Sequence, residues 1–329
     1  MSAWGLKNFG VTAVIPTHRR AGVLPRAVRS ALSQTYANLD VVVVVDGPDA
    51  ETTRALAEMA HPRLRVVELD RPMGGCEARN AGVNAASGEW IAFLDDDDEW
   101  LPNKIARQMG LLPSIDCRDP IISCRFEART DSGEYVWPER FPRPGEPISE
   151  YLLVRQGIRR VDGFVATPTI LTRRSLLERV PFQPGLKKHQ DWDWVIRAVS
   201  QPGVGVFFCP EALAVCHMES SNSTSRRLDW EFSLDWVRNS RHLVTPRAYS
   251  SFITTHVAWQ AAAQRSWLNF GPLLWDAFRN GSLRLLDIMR YLGFWAVPPD
   301  HRQWMKKPFS KSLLTRQIAT TRPHIGPIT

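Results

Sequence analysis

Four consecutive aspartates, Asp95 to Asp98, stand directly after the apolar run Trp90-Ile91-Ala92-Phe93-Leu94. Adjacent carboxylates raise one another's pKa unless a cation shares them. The run therefore asks for a metal, and oxygen-only ligands select a hard ion, Mg²⁺ or Mn²⁺. The alternative is a solvated acidic turn or a helix N-terminus, with Asp97 or Asp98 capping the helix entered at Leu101-Pro102; Asp98 is the expected cap in either case. Thr17 and Asp46 hold comparable positions, each just past an apolar run, at residues 11–15 and 41–45. If those runs are parallel strands, all these residues converge on one crevice.

The elements that must position them read as strands alternating with helices. Residues 11–15 form a strand stopped by Pro16, and Leu24, Val28, Ala31 and Leu32 then recur at helical spacing after Gly22. The five valines 41–45 mark a strand buried on both faces, ended by the turn Asp46-Gly47-Pro48. A helix at 51–59, a strand at 64–69, a helix opened by Gly74-Gly75 and running through Ala86, and the strand 90–94 continue the alternation. Connections this short imply right-handed βαβ units and a mostly parallel α/β sheet flanked by helices. Residues 121–126, the turn Asp131-Ser132-Gly133 and residues 135–137 read as an antiparallel hairpin. A short strand at 169–172, a helix at 192–199 and two strands at 204–208 and 212–216 follow. The polar stretch 220–225 is expected to be a loop. It divides an α/β domain, 1–222, from a helical region, 223–329, in which Leu285, Ile288, Met289, Leu292 and Trp295 share one helix face.

Composition bounds the rest. The 329 residues are 44% hydrophobic and 23% charged, which excludes disorder over most of the length. Five scattered cysteines with no Cys-x-x-Cys pair exclude a disulfide framework and a zinc ribbon, and favour a reducing compartment. Residues 1–10 carry no apolar core of signal-peptide length and no 18-residue run lacks charge, so a cytoplasmic address without transmembrane helices is expected. The net charge of +7 is uneven: residues 226–329 hold 15 Lys and Arg against 6 Asp and Glu, while the remainder is slightly acidic. That basic excess suits an anionic partner such as phospholipid headgroups, a diphosphate carrier or nucleic acid.

Five motifs in order, Val14-Ile15-Pro16-Thr17, Ser33-Gln34-Thr35-Tyr36, Val45-Asp46-Gly47, Gly74-Gly75-Cys76-Glu77-Ala78-Arg79-Asn80-Ala81-Gly82 and Phe93-Leu94-Asp95-Asp96-Asp97-Asp98-Glu99-Trp100, closely resemble the family 2 glycosyltransferases. These are inverting enzymes of the GT-A fold that use nucleotide-activated sugars. The resemblance covers residues 10–220. It implies Asp97 as a ligand of Mn²⁺ or Mg²⁺, Asp95 or Asp96 near the ribose and diphosphate, Asp46 as acceptor from the base, Pro16 and Thr17 as nucleotide contacts, and Arg79 reaching into the nucleotide crevice. The second motif departs from the family's Asp-Asp-Gly-Ser, since Asp46-Gly47-Pro48 lacks one acid. The segment His189-Gln190-Asp191-Trp192-Asp193-Trp194 resembles the family's Glu-Asp segment before a helix, with Asp191 as catalytic base and Gln190 in place of the acid. Asp193 is the rival base, and either could simply cap the helix. His217 falls near a position that in some relatives contacts metal or diphosphate; the alternative is a structural histidine. Trp100, Trp137, Trp192 and Trp194 are candidates for stacking on sugars or for core packing.

The resemblance thus implies a metal-dependent inverting transferase that moves sugar from a nucleoside-diphosphate donor, UDP-sugar foremost, to a hydroxyl of a glycan or lipid-linked acceptor. One rival is a sugar nucleotidyltransferase, which would want a glycine-rich loop where this chain has Pro16-Thr17-His18-Arg19-Arg20. The other is a non-catalytic binder of anionic lipid or nucleic acid, and no nucleic-acid motif accompanies the charge. The Trp-rich tail reads either as a peripheral membrane surface for a lipid-linked acceptor or as a subdomain packing its aromatics on the catalytic domain or a second subunit of a homodimer. The processive-synthase signature Gln-x-x-Arg-Trp is absent.

Overall fold

The computed structural model describes residues 9–131, 133–156, 163–218 and 228–297. The expected loop at 220–225 and the tail beyond 297, with Trp304, lie outside them. Contacts divide the described chain into two units, residues 9–137 with 165–218 and residues 138–164 with 228–297. The division is thus not one cut near 222: the segment 138–164 joins the C-terminal helices.

The first unit begins with β1 (Val11–Thr17), α1 (Leu24–Leu32), β2 (Leu39–Val45), α2 (Ala50–Glu58), β3 (Leu64–Glu68), α3 (Gly75–Ala85) and β4 (Trp90–Phe93). There follow β5 (Glu99–Trp100), α4 (Lys104–Met109), β6 (Asp119–Thr130) and β7 (Gly133–Trp137). Later come β8 (Leu171–Arg173), α6 (Arg174–Arg179), α7 (Gln190–Val199) and β9 (Val204–His217), while α5 (Ile148–Leu153) belongs to the second unit. The strands form one sheet in the order β3-β2-β1-β4-β8-β6-β9-β5, with β7 hairpinned on β6. The first four strands are parallel, and β8 runs antiparallel between β4 and β6. Valines 41–45 are fully buried, as a run with no polar alternation requires.

The order 3-2-1-4 reverses direction between β1 and β4. That reversal opens a crevice at the carboxyl ends of these two strands, and it is where Thr17 and the four aspartates lie.

Three local expectations are corrected. Pro16 does not stop β1, which runs on to Thr17 in register with Val45. Val14 turns its carbonyl toward Leu94, so Pro16, two residues on, turns its missing donor to the same side, where pairing with β4 has already ended. Residues 204–217 are one strand, bent by a register shift against Cys124 and Arg125 of β6, instead of two strands. Asp98 caps no helix: α4 starts after Asn103, and Asp98 is buried and accepts from the backbone N–H of His217 at 2.9 Å.

The second unit contains α5 together with α8 (Trp230–Asn239), α9 (Pro246–Phe252), α10 (Ala258–Ala263), α11 (Phe270–Asn280) and α12 (Leu285–Ala296). Its core includes Trp236, Tyr249, Phe252, Tyr291 and Trp295. Among the described residues no helix is long and apolar enough to cross a membrane.

Candidate active site

The crevice is built from strand ends. At the end of β1, Thr17 donates its hydroxyl to Asp96 Oδ2 at 2.7 Å. Three residues on, Arg20 Nη1 donates to Asp96 Oδ1 at 2.9 Å and to Asp97 Oδ2 at 2.6 Å. Arg26, from α1, donates to the Asp97 carbonyl at 2.5 Å. A basic run after β1 therefore faces an acidic run after β4. Arg20 was not singled out from sequence, yet the charge complementarity of residues 18–20 and 95–98 was the signal for it.

The four aspartates are not equivalent. Asp95 pairs with Arg79 Nη2 at 2.5 Å. Asp96 is buried, and desolvation pushes its carboxyl up to about 6 against the pull of Arg20 and Thr17. Asp98 is raised well above the carboxylate range by burial, then by the charges of Asp95 and Asp97. Asp97 keeps about a quarter of its side chain exposed. Burial thus disfavours the charged forms of Asp96 and Asp98, and a cation bound beside them would favour those forms again. The donors are all carboxylate oxygens, which suits Mg²⁺ or Mn²⁺.

No group of three His, Cys, Asp or Glu side chains able to hold an ion exists among the described residues. An ion on Asp97 would thus be completed by phosphate oxygens and water, the usual arrangement where the substrate is a diphosphate. The structure gathers no such set around His217, whose ring nitrogen Nε2 is held by Glu99 at 2.8 Å.

Asp46 and Arg79 are anchored more firmly than the sequence suggested. Both Asp46 oxygens accept backbone N–H groups, Met73 at 2.6 Å and Gly74 at 2.9 Å, fastening the loop before α3 to the end of β2. Gly47, at φ +91°, lets that turn close on Pro72. Pro16 is buried in β1. Arg79, from α3, is buried instead of reaching freely into the crevice. Besides Asp95 it holds Gln190 Oε1 at 2.7 Å and lies over the Phe182 ring. A Cβ on Gly75 would stand 3.1 Å from the Arg79 guanidinium and 3.2 Å from Gln190, so the glycine leaves room for this pair.

Gln190 opens α7, and Asp191 follows in its first turn. His189 enters the helix from the left-handed region, φ 61°, and its ring stacks on Trp192. Asp191 Oδ1 accepts from the Trp192 N–H at 2.9 Å. Desolvation pushes the Asp191 carboxyl up to about 6; the nearby Asp95 charge raises it further, and Arg79 opposes. Asp193, the rival, is buried in an ion pair with Arg197 at 2.7 Å. Trp100 and Trp194 are core residues, each donating its indole N–H to a backbone carbonyl, Pro168 and Val180 respectively.

Thr17, Asp95, Asp96, Asp97, Arg79 and Asp191 are thus joined by contact or by charge around one crevice. The arrangement offers an acidic cluster, partly answered by Arg20 and Arg79, that a cation would stabilise, with the Asp191 carboxyl beside it.

Residues 12–180, more than half of the chain, match the family described as Glycosyl transferase family 2. The amylovoran biosynthesis glycosyltransferase AmsB of Erwinia amylovora is 27% identical over 253 residues, covering 74% of this chain and 81% of that one. The succinoglycan biosynthesis protein ExoO of Rhizobium meliloti is 41% identical over 99 residues, 30% of this chain and 28% of its own. Among solved structures, S. aureus TarS 1-349 in complex with UDP-GlcNAc superposes with a TM-score of 0.59 at 15% identity, over 90% of this chain and 92% of that one. The mannosyltransferase PcManGT of Pyrobaculum calidifontis, in complex with GDP-Man and Mn²⁺, gives 0.53 at 18% identity, over 92% and 84%. These likenesses show a GT-A fold.

Proposed function

Because the chain belongs to the family 2 glycosyltransferases, we propose that it moves a sugar with inversion from a nucleoside-diphosphate donor, UDP-sugar foremost, to a hydroxyl of a growing glycan or lipid-linked glycan. The observation that carries this reading is the placement of Asp191. It is a carboxylate with a pKa of about 6, tied through Gln190 and Arg79 to the aspartate cluster. A general base is most effective when its pKa lies near the working pH.

Inversion is a single in-line displacement. The acceptor oxygen forms a bond to the anomeric carbon as the bond to the diphosphate oxygen breaks, and the hydroxyl proton passes to Asp191. Arg20 would supply positive potential beside the departing diphosphate. Asp97 would hold Mg²⁺ or Mn²⁺, which when bound neutralises diphosphate charge. Asp95 and Asp96, with Thr17 and Pro16, would border the ribose and diphosphate. Asp46, with both oxygens on backbone N–H groups, is better suited to shaping the base pocket than to reading the base alone.

The relation to AmsB and ExoO supports an acceptor in surface-polysaccharide assembly, and the ligands of TarS and PcManGT support a nucleotide-sugar with a divalent ion. A thermal-shift panel of UDP-, GDP- and dTDP-sugars with and without Mn²⁺ tests this. One donor should raise Tm only when Mn²⁺ is present; a flat panel would refute the reading.

A further inference from the structure

Within the second unit, α12 is turned inside out. Its buried face carries Asp287, Arg290, Tyr291 and Trp295, and its outer face carries Leu285, Met289 and Leu292, which are 75%, 61% and 47% exposed. The inversion is enforced by hydrogen bonding. Asp287 accepts from Arg284 at 2.8 Å and from Arg290 at 3.3 Å, and both arginines donate to the carbonyl of Arg155 at 2.9 Å. Rotating the helix to bury its leucines would break both arginine bonds to the Arg155 carbonyl, while the pairs with Asp287 turn with the helix. An apolar groove, lined by Leu274, Trp275 and Phe278 of α11 and by Leu283 and Ile288, joins the outer faces of the two helices. Trp275 and Phe278 are both more than 60% exposed.

Among residues 265–297 the exposed charged side chains have one sign. Among residues 265–297 the acids Asp276 and Asp287 are buried in internal ion pairs, Asp276 with Arg238. Arg265 and Arg279 are exposed. The following sequence, 298–329, adds six Lys and Arg against one acid. A second copy laid on the face would bring like charges together, which costs affinity, whereas anionic lipid neutralises them. At 11 and 12 residues, α11 and α12 are each about 17 Å long, too short to span a bilayer.

We propose that this face seats the protein on an anionic phospholipid surface. α11 and α12 lie in the interfacial plane, with Trp275, Phe278, Leu285 and Met289 at the headgroup–acyl boundary and arginines at the headgroups. The proposal is independent of the reaction assigned above, since vesicle binding and donor binding are read separately.

Flotation of the full chain with vesicles of equimolar phosphatidylcholine and phosphatidylglycerol tests it, with phosphatidylcholine vesicles as control. Binding is expected on the mixed vesicles, weakening with salt. The double variant Phe278→Asp/Met289→Asp should bind at least about tenfold more weakly with an unchanged melting temperature. Hydrogen exchange of the unsubstituted chain provides a second readout, with residues 267–292 gaining protection when mixed vesicles are added. Absence of binding, absence of that protection, or binding that survives the double substitution would overturn the proposal. So would a concentration-dependent dimer dissolved by the same substitutions, which would assign the face to a second copy. Protection of 267–292 already complete without vesicles would assign it to another part of this chain, with the same consequence.

Discussion

Arg79 and Gln190, 111 residues apart in sequence, share a hydrogen bond of 2.7 Å. Through Arg79 the helix that carries Asp191 is coupled to Asp95, so the proposed base is held against the aspartate cluster by a buried guanidinium. Gln190→Ala leaves one donor of that guanidinium unmet. Denaturant unfolding should show a loss of about 1.5–3 kcal/mol, typical for a hydrogen bond to a charged group. The turnover number should fall although Asp191 is intact.

The pH dependence follows from Asp191. A base must be deprotonated, so kcat/KM should rise with pH and level off above about 6, where its carboxyl titrates. Asp191→Asn should cost on the order of 10²–10⁴ in rate and abolish that limb, with donor binding kept. Full turnover in this variant would dismiss the base assignment.

Stability should move the other way. Asp191 binds its proton more tightly folded than unfolded, so between the ordinary carboxylate value and about 6 the native state holds more protons. Its contribution to stability therefore declines as pH rises through that window. At pH 7.5 Asp191→Asn should be more stable than the parent, by up to about 2 kcal/mol; a lower melting temperature for the variant would contradict this.

Arg20 is the counter-charge of the cluster. Arg20→Ala leaves the buried Asp96 with Thr17 alone, and a loss on the order of 2–4 kcal/mol is expected. Calorimetry should also show a larger rise of Tm on adding Mn²⁺ than in the parent. Asp97→Ala, at the better exposed carboxylate, should instead leave Tm nearly unchanged while the Mn²⁺-dependent part of donor binding disappears.

Gly47→Ala tests the loop that Asp46 fastens. A Cβ there would stand 2.7 Å from Pro72 on a backbone of φ +91°. The strain should lower stability by about 1–3 kcal/mol and raise the donor KM; an unaltered KM would separate this loop from donor binding.

The first four strands and the helices between them were legible because valine runs, helical spacing and turn residues act locally. The same local signals put Thr17, Asp46 and Asp95–Asp98 at strand ends, and a parallel sheet makes strand ends converge. Where a local pattern allowed two outcomes, sequence reasoning chose the local one. Asp98 was expected to cap the next helix and instead meets the backbone of His217, 119 residues away. The apolar stripe of α12 was expected to share one face with Trp295, and the structure separates them, Trp295 inward and Leu285, Met289 and Leu292 outward.

The sequence by itself determined the alternating α/β order, the position of each acidic residue at a strand end and the basic excess of the tail. These depend on residue type and short-range spacing. Only the tertiary structure decided that Arg20 would answer Asp96 and Asp97, that Gln190 would hold Arg79, and that Arg155 would turn α12 polar side in. Each is a hydrogen bond between groups far apart in the chain, and the cost of burying a charge without its partner exceeds any local preference.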